Sequence, residues 1–98
     1  MTLTPSYDGG MSSVQKRIEE LGFTLPSAPD PVANYVPSVT SGNELRTSGQ
    51  IPMRDGELLY KGAVPSFQSI EEAQKAAEVC GLNAIAVASK ALSDDLDR

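Results

Sequence analysis

The 98-residue sequence contains no histidine, no tryptophan and only one cysteine. The absence of histidine excludes Ser-His-Asp and Cys-His catalytic arrangements and every imidazole metal ligand. The single cysteine, Cys80, cannot form an internal disulfide, and its place in an apolar helical pattern is typical of a buried structural thiol. The longest apolar run, from Ala84 to Ala88, has five residues, whereas a helix that spans a bilayer needs about 20. We therefore expect no membrane segment.

Positive charge is also scarce. Eight Lys and Arg residues stand against 13 Asp and Glu residues, which gives a net charge of −5 and no basic cluster. Nucleic acid is therefore not an expected partner, because binding to the phosphate backbone relies on clustered cations. The two commonest glycine-rich phosphate-binding motifs are absent, and we expect neither a cofactor nor a metal. The single cysteine and the absence of a secretory signal predict a cytoplasmic location.

The first residues differ in character from the rest of the chain. Residues 1–11 are polar and rich in glycine, and Met11 follows Gly9 and Gly10 in the manner of a natural start. We interpret 1–11 as a disordered leader, or as one added ahead of that start. Residues 12–98 are then the N-terminal part of a single domain.

Local signals predict a short helix followed by an extended connector. Ser12 and Gln15 have the spacing of a capping box, and Gly22 suits the end of a helix. Val14, Ile18 and Leu21 would share its apolar face. The proline-rich stretch 23–31 cannot be helical and predicts an extended chain on the surface.

The middle of the sequence predicts two turns. Residues 35–48 have the character of a β-hairpin, with a turn signal at 41–43 and Pro37 near the start of the first strand. Arg54, Asp55 and Gly56 form a second turn signal, followed by loop or short strand up to Phe67.

A long helix is predicted from about Ile70 to Leu92. Ser69 and Glu72 have the spacing of a capping box. An apolar stripe follows at spacings of three and four, which predicts that this face packs on the hairpin; it comprises Ile70, Ala73, Ala77, Cys80, Ala84, Val87 and Ala91. The fold class is therefore α+β. The few strands are too small to cover this helix, so we expect the fold to be truncated before later strands.

One polar segment lies where a strand ends. Ser48 and Gln50 flank Gly49, which would let backbone N–H groups approach a ligand closely. From composition alone, a structural bulge is favoured over a binding site.

A family resemblance favours a binding site at this segment over a structural bulge. The order of four features along the chain resembles the first part of the RidA/YjgF family. These features are the connector Leu25-Pro26-x-x-Pro29-x-Pro31, then Tyr35, then Ser48-Gly49-Gln50-Ile51-Pro52, and finally a capped helix containing Asn83. This family has also been called endoribonuclease L-PSP or translation initiation inhibitor. The resemblance covers Ser12 to Arg98 and is strongest to the longer branch, which has an extra N-terminal helix.

The resemblance implies a chorismate-mutase-like α+β fold, a homotrimer and ligand clefts between subunits. It implies hydrolysis of reactive 2-imino acids to 2-keto acids, with Tyr35, Ser48, Gly49 and Gln50 as substrate-binding residues. The family's carboxylate-binding arginine lies in later strands, so no catalytic residue is assigned and we expect these 98 residues to be inactive alone. Two alternatives stay open: a non-enzymatic trimeric module of the same fold that binds a small molecule or a partner, and a shortened chain that associates through its helix.

Overall fold

The computed structural model describes residues 11–31 and 34–98. Its elements are, in chain order, α1 (Ser13–Glu20), β1 (Ser38–Ser41), β2 (Glu44–Thr47), β3 (Met53–Arg54), β4 (Glu57–Leu58) and α2 (Ile70–Ala91). Of the predicted leader, residues 1–10 lie outside the described residues, and Met11 is half-buried. Within the described ranges, neither helix is long and apolar enough to cross a bilayer.

Helix α1 begins and ends where the sequence signals predict. The Ser12 hydroxyl accepts a hydrogen bond from the Gln15 backbone N–H at 3.1 Å, and Gly22 adopts a φ of 91° just beyond the helix. Of the predicted apolar face only Ile18 is buried, whereas Val14 and Leu21 are exposed. The chain beyond α2 returns to α1, where the Asp97 carboxylate accepts hydrogen bonds from its first turn.

The strands form two separate two-stranded antiparallel sheets rather than one. β1 pairs with β2 in the register Ser41↔Glu44, and the intervening Gly42 has a φ of 59°. This confirms the predicted hairpin, although its strands are shorter than the predicted 35–48. β3 pairs with β4 around Asp55 and Gly56, whose φ values of 53° and 81° are both positive, as a tight type I′ turn requires.

Helix α2 confirms the predicted long helix. Ser69 and Glu72 form a reciprocal capping box: the Glu72 N–H donates to the Ser69 hydroxyl at 3.1 Å, and the Ser69 N–H donates to the Glu72 carboxylate at 2.9 Å. Both bonds satisfy backbone donors that the first turn leaves without a partner. The helix packs against β1, β2 and β3, so the α+β class is confirmed.

The predicted apolar stripe of α2 is correct only in part. Ile70 is 61% exposed, and Ala77 and Ala91 are also exposed. The buried side chains of α2 are Val79, Asn83, Ala86, Val87 and Ser89. Of these only Val87 belongs to the predicted stripe, whose other members Ala73, Cys80 and Ala84 are half-buried. The buried row lies mostly one residue earlier than predicted and occupies only the C-terminal half of the helix. Alanine on several faces of α2 made its apolar pattern compatible with more than one orientation.

The segment before α2 is held by its own contacts. The Gln68 side-chain amide donates to the Gly62 carbonyl at 2.6 Å, and the Phe67 N–H donates to the Ala63 carbonyl at 2.8 Å. Gly62 has a φ of +97°, and a Cβ atom there would lie 2.5 Å from the Phe67 Cβ. Only glycine therefore fits this position without displacing Phe67.

Candidate functional site

An open cleft of about 350 Å³ lies where the chain leaves β2. It brings together all four residues that the sequence analysis assigned to substrate binding. Its lining consists of Pro29, Asp30, Tyr35, Ser48, Gly49, Gln50, Ile51 and Met53. The proline-rich connector therefore supplies one side of the cleft, and the segment between β2 and β3 supplies the other.

The hairpin fixes where this segment begins. The Ser48 N–H donates to the Pro37 carbonyl at 2.9 Å, one position beyond the last residue of β2. Gly49 then leaves the strand with no described atom within 4 Å of where its Cβ would lie. The fold itself therefore does not require glycine here. The missing side chain leaves open space beside the backbone of a residue that lines the cleft.

The side chain of Gln50 folds back over Ser48. Its Nε2 donates to the Ser48 carbonyl at 3.2 Å and contacts the Ser48 hydroxyl at 3.4 Å. The backbone N–H groups of Gly49 and Gln50 donate no hydrogen bond to any described residue. Two adjacent residues in the lining of the cleft thus have backbone donors with no described partner.

Asn83 supports this segment from α2. Its Nδ2 donates to the Ile51 carbonyl at 3.2 Å and to the Met53 carbonyl at 2.9 Å. Sequence reasoning named Asn83 as part of the family pattern and gave it no role in the site. The available signal was an asparagine within the apolar part of a long helix, because a buried amide needs hydrogen-bond partners.

The cleft carries little charge. Asp30 is the only formally charged residue in its described lining, and sequence reasoning did not identify it. Arg46 points away into an exposed ion pair with Glu44 at 3.1 Å, and Arg54 lines a neighbouring cavity that also includes Asp30. Neither arginine borders the cleft itself.

Cys80 also lies outside the lining of the cleft. Cys80 is half-buried rather than buried as the sequence predicts, and this partial burial raises the pKa of its thiol. Among residues 11–31 and 34–98, no three His, Cys, Asp or Glu side chains are grouped closely enough to hold a metal ion.

Comparison with known proteins identifies the family. The sequence model described as "YjgF/chorismate_mutase-like, putative endoribonuclease" matches residues 15–98. Protein TCP17 of Trypanosoma cruzi is 38% identical over 85 residues, which cover 87% of this chain and 52% of that protein.

Two solved structures share the fold. Atu1372 from Agrobacterium tumefaciens, a protein of unknown function, is 46% identical with a TM-score of 0.74, and the match covers 85% of this chain and 50% of that one. A "putative endoribonuclease" from Shewanella oneidensis MR-1 is 35% identical with a TM-score of 0.77, over 85% of this chain and 54% of that one. The chain thus spans about half the length of these relatives. It belongs to the YjgF/chorismate mutase-like family and has that family's α+β fold.

Proposed function

We propose that the cleft binds a small 2-imino or 2-keto acid and is part of a RidA-like site that hydrolyses 2-imino acids. The main observation in support is that Tyr35 meets Ser48, Gly49 and Gln50 at one open cleft. The two adjacent backbone N–H groups are suited to oxygen atoms that carry negative charge. The Tyr35 hydroxyl is a further hydrogen-bond donor and acceptor.

Hydrolysis of a 2-imino acid requires the protein mainly to position the substrate and a water molecule. Water adds to the electrophilic imine carbon, the nitrogen takes up a proton, and the tetrahedral adduct loses ammonia to leave the 2-keto acid. No cofactor is needed for these steps, so the rate depends on how well the substrate carboxylate and the water are held. In this proposal the Gly49 and Gln50 N–H groups hold a substrate oxygen, and Tyr35 borders the bound molecule.

The same cleft lacks a cation for the substrate carboxylate. Its described lining contains no Lys or Arg, and Asp30 would repel an anion. A bidentate hydrogen-bonded pair with an arginine guanidinium orients a carboxylate strongly. We therefore propose that these 98 residues bind such acids weakly and do not turn over 2-imino acids alone.

We also propose that the chain self-associates, as a trimer by family resemblance, and that it acts in the cytoplasm. The family is generally oligomeric. Val36, Phe67 and Ile70 are all more than half exposed, which leaves apolar surface that a partner subunit could cover. Light scattering that gives only a 10.4 kDa particle at high concentration would contradict self-association.

RNA cleavage, which the name of the Shewanella relative mentions, has less support in this cleft. RNA presents a chain of phosphates that cationic side chains must neutralise. The described lining offers one carboxylate and no cation.

The proposal is tested by binding and turnover together. In two-dimensional amide NMR, 2-oxobutanoate should shift the Gly49 and Gln50 resonances more than butanoate does, because butanoate lacks the carbonyl group. Equal shifts would favour a non-enzymatic binding module, and no shift with either acid would contradict the proposal.

Turnover is measured with a pyridoxal-phosphate dehydratase that releases iminobutanoate in the presence of an imine trap. Adding excess chain should leave keto-acid formation unchanged. Acceleration that disappears in Arg46→Ala or Arg54→Ala would mean that the chain supplies its own carboxylate-binding arginine.

A further inference from the structure

We propose that Asn83 is a positioning residue of the cleft, acting through the backbone of Ile51 and Met53. This inference rests on the proposed function, because it concerns the same cleft. Asn83 is 2% exposed and does not line the cleft, whereas Ile51 and Met53 both do. Its amide reaches their carbonyl groups from α2, across 32 and 30 residues of sequence.

Both N–H groups of one side-chain amide are available for this contact. The Asn83 Nδ2 donates to the Ile51 carbonyl at 3.2 Å and to the Met53 carbonyl at 2.9 Å. The Ile51 carbonyl also accepts the Met53 N–H at 2.7 Å. Asn83 therefore binds a tight backbone bend at two points and holds it against the long helix.

The rest of the segment has few other restraints. Residues 48–52 belong to neither a helix nor a strand, so no ladder of backbone hydrogen bonds fixes their path. The Ser48 N–H is anchored to Pro37 at one end. Asn83 anchors the other end, together with the Leu59 N–H, which donates to the Pro52 carbonyl at 2.8 Å. Between these two anchors lie Gly49 and Gln50, whose N–H groups face no protein acceptor in the described structure. We infer that the orientation of these N–H groups depends on the contacts at both ends of the segment.

The identity of the residue fits this role. Asparagine is a poor helix former, and a buried amide is tolerated only where its hydrogen bonds are satisfied. An apolar residue would pack in the same row as Val79 and Ala86 but would leave the two carbonyls without this donor. Asn83 thus joins α2 to the backbone of the cleft by hydrogen bonds, which an apolar side chain could not form.

The test compares Asn83→Ala with Ile18→Ala in the full chain. Ile18 is a buried side chain of α1 that does not line the cleft, so its truncation lowers stability without touching the 51–53 bend. Amide NMR spectra are recorded under conditions where both variants are folded, and each is titrated with 2-oxobutanoate. We expect Asn83→Ala to move the free-state Gly49 and Gln50 resonances and to weaken binding about tenfold, the equivalent of about 1.4 kcal/mol. Ile18→Ala should change neither.

Unmoved Gly49 and Gln50 resonances in Asn83→Ala, or equal movement in Ile18→Ala, would overturn the positioning role. If Asn83→Ala does not fold, Asn83→Leu replaces it, since leucine fills the buried position with a branched apolar side chain and removes the donor group without burying a charge. If the parent chain does not bind 2-oxobutanoate, the proposed function fails, whereas the free-state resonances still decide the role of Asn83.

Discussion

Asp97 and Ser13 lie 84 residues apart in sequence, and the Asp97 carboxylate accepts both the Ser13 N–H and the Ser13 hydroxyl at 2.8 Å. A third bond, at 3.1 Å, comes from the Val14 N–H. The first turn of α1 thus receives a carboxylate from the far end of the described chain. Such a group satisfies backbone donors and interacts favourably with the positive end of the helix dipole.

Asp97→Ala should lower the free energy of unfolding by about 1–2 kcal/mol, because α1 loses a charged capping group. Urea denaturation measures the effect. Glu19→Ala removes the same charge from the exposed surface of α1 and should change stability by less than about 0.5 kcal/mol. Equal losses in both variants would show that net charge, rather than capping, is responsible.

The orientation of α2 is tested by two identical substitutions on different faces. Ala86 is 3% exposed, so Ala86→Asp buries an unpaired carboxylate and should cost at least about 3 kcal/mol. Ala77 is exposed, and Ala77→Asp should leave the thermal midpoint of the chain almost unchanged. A chain unfolded by Ala77→Asp would support the stripe that the sequence predicts.

Two glycines should respond differently to alanine. Gly62→Ala places a Cβ against Phe67 at a φ of +97° and should cost about 1–3 kcal/mol. Gly49→Ala meets no described atom within 4 Å and should change stability by less than about 1 kcal/mol. Gly49 nevertheless lines the cleft, so we expect the added methyl group to obstruct the ligand and the resonance shifts caused by 2-oxobutanoate to be lost. Retained shifts would mean that the ligand does not approach this backbone.

The raised pKa of the Cys80 thiol has two measurable effects. At about pH 8, iodoacetamide should modify the native chain more slowly than the urea-unfolded chain, since the thiolate is the reacting form. The raised pKa also makes the free energy of unfolding depend on pH. This free energy keeps its full value below the pKa of the unfolded thiol and falls as the pH rises through the pKa of the folded thiol. Cys80→Ala should remove this alkaline loss, as urea titrations on either side of the transition would measure.

Prediction from sequence succeeded where the cause is local. The capping pair Ser69 and Glu72 and the turns at Gly42 and Asp55 depend on residues within a few positions of one another, so their spacing was sufficient. The phase of α2 depends on which face meets the strands, and its many alanines did not specify that face.

The candidate site shows the same limit. Ser48, Gly49 and Gln50 are contiguous and were recognisable as a unit, whereas their meeting with Tyr35 was expected only from the family resemblance. Asp30 reaches the cleft through the path of the connector. Asn83 reaches Met53 across 30 residues, a contact that no local pattern indicates.

The uneven burial of α2 gives one helix two different stabilities. Its buried side chains begin at Val79, and the preceding turns start from an Ile70 that is 61% exposed. Amides in the N-terminal turns should therefore exchange with solvent through local opening, whereas those around Asn83 should exchange only through global unfolding. We therefore expect the N-terminal turns of α2 to open more readily than the turns that support the cleft.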